Sequence, residues 1–242
     1  MFTIIVRDTY EEVSLEAFRV MKQVLSSKEA PVLGLATGSS PVGLYKEMIR
    51  DHEENGTSYK DILTFNLDEY VGLPRDHEQS YYTFMHENLF NHIDIPEENV
   101  HVPVGCAEDE EAECVKYEEE LAKHEVDIQV LGIGSDGHIA FNEPGTPFDS
   151  PTHLMDLTEQ TISDNARFFE NDMSKVPTKA ITMGLASIMR SKRIVLIATG
   201  ENKAQAVRDM LNGEMTTDCP ASILQDHPDV TVVLDQAAAS LL

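Results

Sequence analysis

The chain has 242 residues, with 18 Lys and Arg against 43 Asp and Glu, and a formal charge of −25 at pH 7. This balance argues against binding nucleic acid or an anionic membrane surface, since both need clustered cations. At 41% hydrophobic and 25% charged residues the composition is that of a globular protein able to bury roughly 70–75% of its unfolded surface without staples.

No apolar run approaches the ~18–20 residues of a membrane span. Charge arrives at Arg7 and Asp8, too early for a secretory segment. A cytoplasmic protein is expected, and Cys106, Cys114 and Cys219 read as reduced, small core residues.

Phe2–Arg7 reads as a strand, and Asp8 then caps a helix with Glu11 completing an Asp-x-x-Glu box. Val13, Ala17, Val20 and Val24 line one face of that helix. The wholly apolar run 31–36 has the pattern of a strand covered on both faces. Thr37-Gly38-Ser39-Ser40 follows, and Pro41 is preset for the first turn of a helix reaching towards Asn55, with Ser40 as its cap. Further along come a strand over 62–66, a helix over 79–93, a strand over 100–104 and an acidic helix over 108–125 read as a solvated face. Two more apolar runs, 127–133 and 193–199, precede a helix over 201–212, and a strand at 230–234 leads into a short Ala-rich helix. Alternating strands and helices without linker or repeat predict one domain, 1–242, of the α/β class. Its core is an open, doubly wound, mostly parallel, Rossmann-like sheet with helices on both faces, and its ligand site lies beyond the strands' carboxyl ends.

Gly132-Ile133-Gly134-Ser135-Asp136-Gly137 matches G-x-G-x-x-G, but Pro144, Pro147 and Pro151 follow closely and no helix opens there. A dinucleotide site is therefore not expected. Thr37–Ser40 lacks the Lys-Ser/Thr ending of a triphosphate loop. Its hydroxyls and free N–H groups at a helix start suit a single phosphate, although capping alone would also explain them. Lys203 and Arg167 are the cations that could complete such a cradle, each also readable as a surface charge.

The acid–base residues are more specific. Asp136, His138 and Glu143 lie within eight residues in a loop too rich in Gly and Pro for a helix. A carboxylate beside an imidazole fixes its tautomer and raises its basicity, which makes His138 a proton-transfer group. The other histidines, such as His52, His77, His86 and His92, read as structural. Asp68 and Glu69 end another strand and should point to opposite sides, so that one faces the ligand. A metal held by Asp68, Glu69, His138 and Glu143 is weakly supported, because a second His or a Cys is missing. No Gly-x-Ser-x-Gly elbow occurs. The residues alone thus indicate proton transfers on a small phosphorylated polyhydroxy compound.

Four stretches, 33–41, 64–74, 80–85 and 132–144, read Leu-Gly-Leu-Ala-Thr-Gly-Ser-Ser-Pro, Thr-Phe-Asn-Leu-Asp-Glu-Tyr-Val-Gly-Leu-Pro, Ser-Tyr-Tyr-Thr-Phe-Met and Gly-Ile-Gly-Ser-Asp-Gly-His-Ile-Ala-Phe-Asn-Glu-Pro. In these stretches, and essentially from end to end, the chain resembles the glucosamine-6-phosphate deaminases. The resemblance implies conversion of glucosamine 6-phosphate and water to fructose 6-phosphate and ammonium in amino-sugar catabolism, without metal or organic cofactor. It also implies roles. Asp68 would move the C2 proton to C1, and His138, supported by Asp136 and Glu143, would open the pyranose ring. Thr37, Gly38, Ser39, Ser40, Arg167 and Lys203 would hold the phosphate.

Longer members of that family form hexamers activated by N-acetylglucosamine 6-phosphate and resemble one another in carrying Arg and Lys where this chain has His153 and Met155. The expectation is a monomer or low-order homo-oligomer without that activation. A 6-phosphogluconolactonase, which would share fold and cradle, and a non-catalytic sugar-phosphate sensor remain as alternatives.

Overall fold

The computed structural model describes residues 2–242, and its short apolar runs form most of ten strands. These are β1 (Phe2–Arg7), β2 (Val32–Leu35), β3 (Leu63–Asn66), β4 (Asp68–Tyr70), β5 (Val100–His101), β6 (Ile128–Leu131), β7 (His153–Asp156), β8 (Lys179–Thr182), β9 (Ile194–Ala198) and β10 (Val230–Asp235). Seven of them pair as one sheet in the order β1-β10-β9-β6-β2-β3-β5, and each neighbouring pair is parallel. β2, β6 and β9 are buried at every residue, as strands are when helices cover both faces. The helices are α1 (Tyr10–Ser27), α2 (Val42–Asn55), α3 (Tyr81–Asn88), α4 (Glu110–Leu121), α5 (Glu159–Asn165), α6 (Leu185–Met189) and α7 (Ala204–Asn212). None among the described residues is long and apolar enough to cross a membrane.

Chain order runs outward from β2 through β3 to β5, then resumes on the other side of β2 with β6, β9 and β10. The reversal places a crevice between the carboxyl ends of β2 and β6, where such sheets bind ligands. A second, antiparallel sheet, β4-β8-β7, stands beside it. The Asp68-Glu69-Tyr70 strand pairs there with Thr182, Ile181 and Ala180. Its apolar partner cluster includes Tyr70, Phe141, Leu157, Phe169 and Ala180. Sequence reasoning did not foresee this sheet, because three- and four-residue strands rich in polar groups carry no readable period.

Several boundaries differ from expectation. The first helix starts one residue later than the Asp8 cap implied. Thr9 is the N-cap, its hydroxyl accepting the Glu12 N–H while the Glu12 carboxylate accepts from Thr9 N–H, a capping box shifted by one. The anticipated core face of α1 is buried, with Met21 added to it. Ser40 does not cap α2. Pro41 occupies the N-cap position without a side-chain cap. The helix predicted over 79–93 is α3 alone, capped by Ser80 and broken at Leu89 (φ −146°, ψ −62°) before a single 3-10 turn. Likewise 201–212 divides into a 3-10 turn and α7, and the Ala-rich tail after β10 forms turns rather than a helix. The acidic α4 is not merely a solvated face. Glu113 accepts from Val104 N–H at 3.1 Å, and Glu118 accepts from Thr152, Ser187 and Arg190, tying α4 to the loop before β7 and to α6. Cys114 and Cys219 are buried, but Cys106 is exposed, contrary to its reading as a core residue; none of the three is in a disulfide.

Candidate active site

β2 ends at the turn Thr37–Ser40, whose Gly38 adopts φ +85°, a region open to glycine at little cost. The turn lines a cavity of about 510 Å³ above the crevice. Asp68, His138, Arg167 and Lys203 line the same cavity, so residues from five separate segments converge as the strand-end rule requires. Asp136 and Glu143 stand behind His138 rather than on the cavity wall.

Asp68 and Glu69 diverge as strand alternation predicts. Glu69 turns away and accepts the backbone N–H groups of Tyr70, Tyr81 and Tyr82 at 2.9–3.0 Å, the last two at the start of α3. Asp68 is 5% exposed, lines the cavity, and receives no hydrogen bond on its carboxylate from any described residue. Burial, with the neighbouring Glu69 charge adding to it, pushes the Asp68 carboxyl up to about 8. Burial also raises Glu69, against the opposing effect of its three N–H donors.

His138 Nδ1 lies 2.7 Å from Asp136 Oδ1 and 3.8 Å from Glu143 Oε2. The Asp136 carboxylate also accepts the His138 backbone N–H at 3.1 Å. Burial works against ionisation of Asp136, yet the His138 ring and backbone donors hold its carboxyl below the usual range. An ionised Asp136 beside Nδ1 favours the proton on that nitrogen and leaves Nε2 for exchange with a ligand. Gly134 makes room for the ring: a Cβ there would sit 2.3 Å from the imidazole. The following residues are pinned. Asn142 donates to the Ile139 and Met183 carbonyls, and Phe141 N–H donates to the Thr182 hydroxyl on β8. Ala140 is held at φ +52°, a strained conformation of the kind found where a loop is over-determined. Glu143 Oε1 accepts the Thr158 N–H at the cap of α5, so the carboxylate behind His138 also ties down the segment that carries Arg167.

The Gly132–Gly137 stretch closes a turn, Gly134 N–H donating to His138 O at 2.9 Å, and opens no helix. Nor do Asp68, Glu69, His138 and Glu143 converge as metal ligands, because Glu69 faces α3. The group of mutually close donor atoms is Asp136, His138 and Glu143, within 4.8 Å. With one imidazole nitrogen directed at two carboxylates, it is an arrangement that orients a histidine and fixes its tautomer.

The cationic side consists of Arg167 and Lys203. Burial lowers the Lys203 ammonium, with Asp164 opposing and Arg167 reinforcing that shift. An anion in the cavity would relieve the repulsion between the two cations. Sequence reasoning missed the aromatic wall. Tyr81 and Phe141 stack at 5.9 Å with planes 10° apart, and Tyr70 lies 4.8 Å from Tyr81. Phe168, over whose ring the Arg167 guanidinium rests at 4.7 Å, and Phe169 line the cavity. Tyr81 lies in the 80–85 stretch, but its burial depends on packing across the small sheet.

A parallel α/β sheet that gathers hydroxyls, two cations, a buried carboxyl and an imidazole around one cavity at its switch point has the architecture of a small-molecule enzyme. The family model for glucosamine-6-phosphate isomerases/6-phosphogluconolactonase matches residues 7–233, and the chain belongs to that family. It is 51% identical over 240 residues to a glucosamine-6-phosphate deaminase of Thermoanaerobacter pseudethanolicus, covering 99% of this chain and 94% of the relative. It is 50% identical over 238 residues to one of Alkaliphilus oremlandii, covering 98% of both. A solved monomeric glucosamine-6-phosphate deaminase superposes with a TM-score of 0.97 at 47% identity, covering 99% of this chain and all of that one. The 6-phosphogluconolactonase of Trypanosoma cruzi, at 23% identity and a TM-score of 0.80 over all of this chain and 97% of its own, shares the fold.

Proposed function

We propose that residues 1–242 act as one catalytic domain that converts glucosamine 6-phosphate and water to fructose 6-phosphate and ammonium. The observation that carries the reading is Asp68: a buried carboxyl group that receives no hydrogen bond from any described residue, facing the same cavity as an imidazole backed by carboxylates. Aldose–ketose isomerisation needs a base that takes a proton from C2, whereas lactone hydrolysis moves no proton on carbon. The full-length likeness to relatives bearing the deaminase name supports the same conclusion.

In this mechanism the phosphate docks on the Thr37–Ser40 turn, Arg167 and Lys203. His138 Nε2 takes the proton of the anomeric hydroxyl and delivers one to the ring oxygen, opening the pyranose, while Asp136 and Glu143 balance the charge on the ring. Asp68 then removes the C2 proton while the C2 ammonium gives up a proton to O1, forming the enolamine, and the proton on Asp68 passes to C1, leaving a protonated imine at C2. Water adds to that carbon and the nitrogen leaves as ammonia, which takes a proton to become ammonium. Each step is a proton transfer or an addition to carbon carried by side chains and water.

The assay is release of ammonium and fructose 6-phosphate from glucosamine 6-phosphate in chelator, with and without N-acetylglucosamine 6-phosphate. Equal yields on a hyperbolic curve, unchanged by the acetylated compound, are expected from a monomer or low-order oligomer of the non-activated kind. His153 and Met155 on β7 offer no permanent cation for a second phosphate. Turnover of 6-phosphogluconolactone without ammonium release would favour the lactonase reading, and binding without turnover the sensor. The three free thiols and a phosphorylated metabolite as substrate favour the cytoplasm.

The pH profile is a second test. With the Asp68 carboxyl near 8 in the free protein, the base form is the minority below that pH, so kcat/KM should climb tenfold per pH unit towards a limb near 8. The substrate ammonium, once bound beside Asp68, favours its charged form and should move the limb in kcat to lower pH. A kcat/KM limb in the ordinary carboxylate range would contradict this.

A further inference from the structure

The phosphate turn is braced from behind by a residue outside the cavity. Tyr10, the first residue of α1, sends its hydroxyl to the Ser39 carbonyl at 2.8 Å, with the Ser40 carbonyl at 3.3 Å. The same oxygen accepts the Gly43 N–H at 2.8 Å. Gly43 is the second residue of α2, whose N-cap, Pro41, offers no side-chain cap. The hydroxyl thus takes up one of the first-turn donors a helix leaves unpaired. The fit is close: a Cβ on Gly43 would meet the Ser14 hydroxyl oxygen at 2.0 Å and the Tyr10 ring at 3.1 Å.

The described residues contain no cis peptide bond, and in a trans peptide the carbonyl and the N–H point in opposite directions. Holding the Ser39 carbonyl on Tyr10 therefore turns the Ser40 N–H away from Tyr10, and both serines line the cavity.

We propose that Tyr10 is a positioning residue for phosphate: its hydroxyl fixes the Ser39–Ser40 peptide so that the Ser40 N–H is presented to the phosphate oxygens. This deepens the functional reading above and rests on it for the identity of the sugar, though not for the anion. Without the hydroxyl, the peptide is free to rotate, and part of the binding energy goes into ordering it.

The test compares wild-type protein with Tyr10→Phe, which keeps the ring, and Tyr10→Leu, which does not. Inorganic phosphate binding is measured by calorimetry, alongside KM, kcat and thermal unfolding. Tyr10→Phe should weaken inorganic phosphate about tenfold and raise KM for glucosamine 6-phosphate by the same factor, with kcat within about twofold, as expected for a lost hydrogen bond in a site that binds ground and transition states alike. Tyr10→Leu should lose no more phosphate affinity than Tyr10→Phe despite a lower melting temperature. Unchanged phosphate affinity in Tyr10→Phe, with or without a loss of stability, would overturn the proposal, as would a fall in kcat at constant KM. Wild-type protein that binds phosphate but releases no ammonium would unseat the functional reading and leave the Tyr10 comparison valid.

Discussion

Asp68→Asn should abolish most turnover, lowering kcat by about 10²–10⁴-fold, while inorganic phosphate still binds with wild-type affinity. The substitution is nearly isosteric and leaves the cradle at Thr37–Ser40 untouched, so the loss should fall on the proton transfer. Ammonium release in single-turnover experiments, with deuterium at C2 to isolate the step, is the measurement. Near-normal rates would remove Asp68 from the role of base. The same variant carries a stability signature. Between the unfolded carboxylate value of roughly 3.9 and about 8 in the folded protein, the folded state holds a proton that the unfolded state has lost. The wild-type contribution from this group is therefore most favourable at low pH and declines as pH rises through that window. Asparagine removes the decline, so the variant should gain on the wild type between pH 5 and pH 8 in thermal unfolding. Parallel curves for the two proteins would show that Asp68 ionises normally.

His138→Gln is the second large effect. Glutamine can still meet Asp136 through its amide but cannot shuttle a proton, so turnover of the cyclic sugar phosphate should fall by about 10²–10⁴-fold. An open-chain analogue, which bypasses the ring-opening step, should suffer far less. Equal losses on the two substrates would argue that His138 acts later, or only in binding. Because the 2.7 Å contact between His138 Nδ1 and Asp136 sets which nitrogen carries the proton, the ratio between the substrates reads the assignment of Nε2 to ring opening.

The parallel sheet was legible because its central strands are continuous apolar runs, and the residues that end them are the ones that meet at the crevice. Thr37–Ser40, Asp68, His138 and Lys203 could be placed from strand ends alone. Arg167 could be named as a cation but not placed, since the segment carrying it is anchored by Glu143 at Thr158 and by packing on Phe169, contacts without local periodicity. The helix starts were misread by one residue where two solutions compete in sequence: Asp8 with Glu11 and Thr9 with Glu12 both spell a capping box, and only the second pair closes. The small antiparallel sheet was invisible because Asp68-Glu69-Tyr70 owes its burial to partners more than a hundred positions away. Tyr10 was hidden for a similar reason. Its ring sits at the start of one helix, and the groups it holds belong to another.

The outermost strand has a bearing on how the molecule is made. Among the described residues β1 hydrogen-bonds only to β10, so of these ten strands the first to be translated waits for the last, with residues 8–229 in between. Such a long-range pairing is costly in loop closure, and the core strands β2, β3, β6 and β9 can assemble before it. During synthesis, β1 is then an unpaired apolar edge, the kind of segment chaperones shield and neighbouring nascent chains can capture. The crevice opens between β2 and β6, but its phosphate side reaches that seam: Gly200, in the turn before Lys203, donates to Asp235 on β10, and Tyr10 opens the helix that follows β1, so the ligand site is completed only when the last strand is in place.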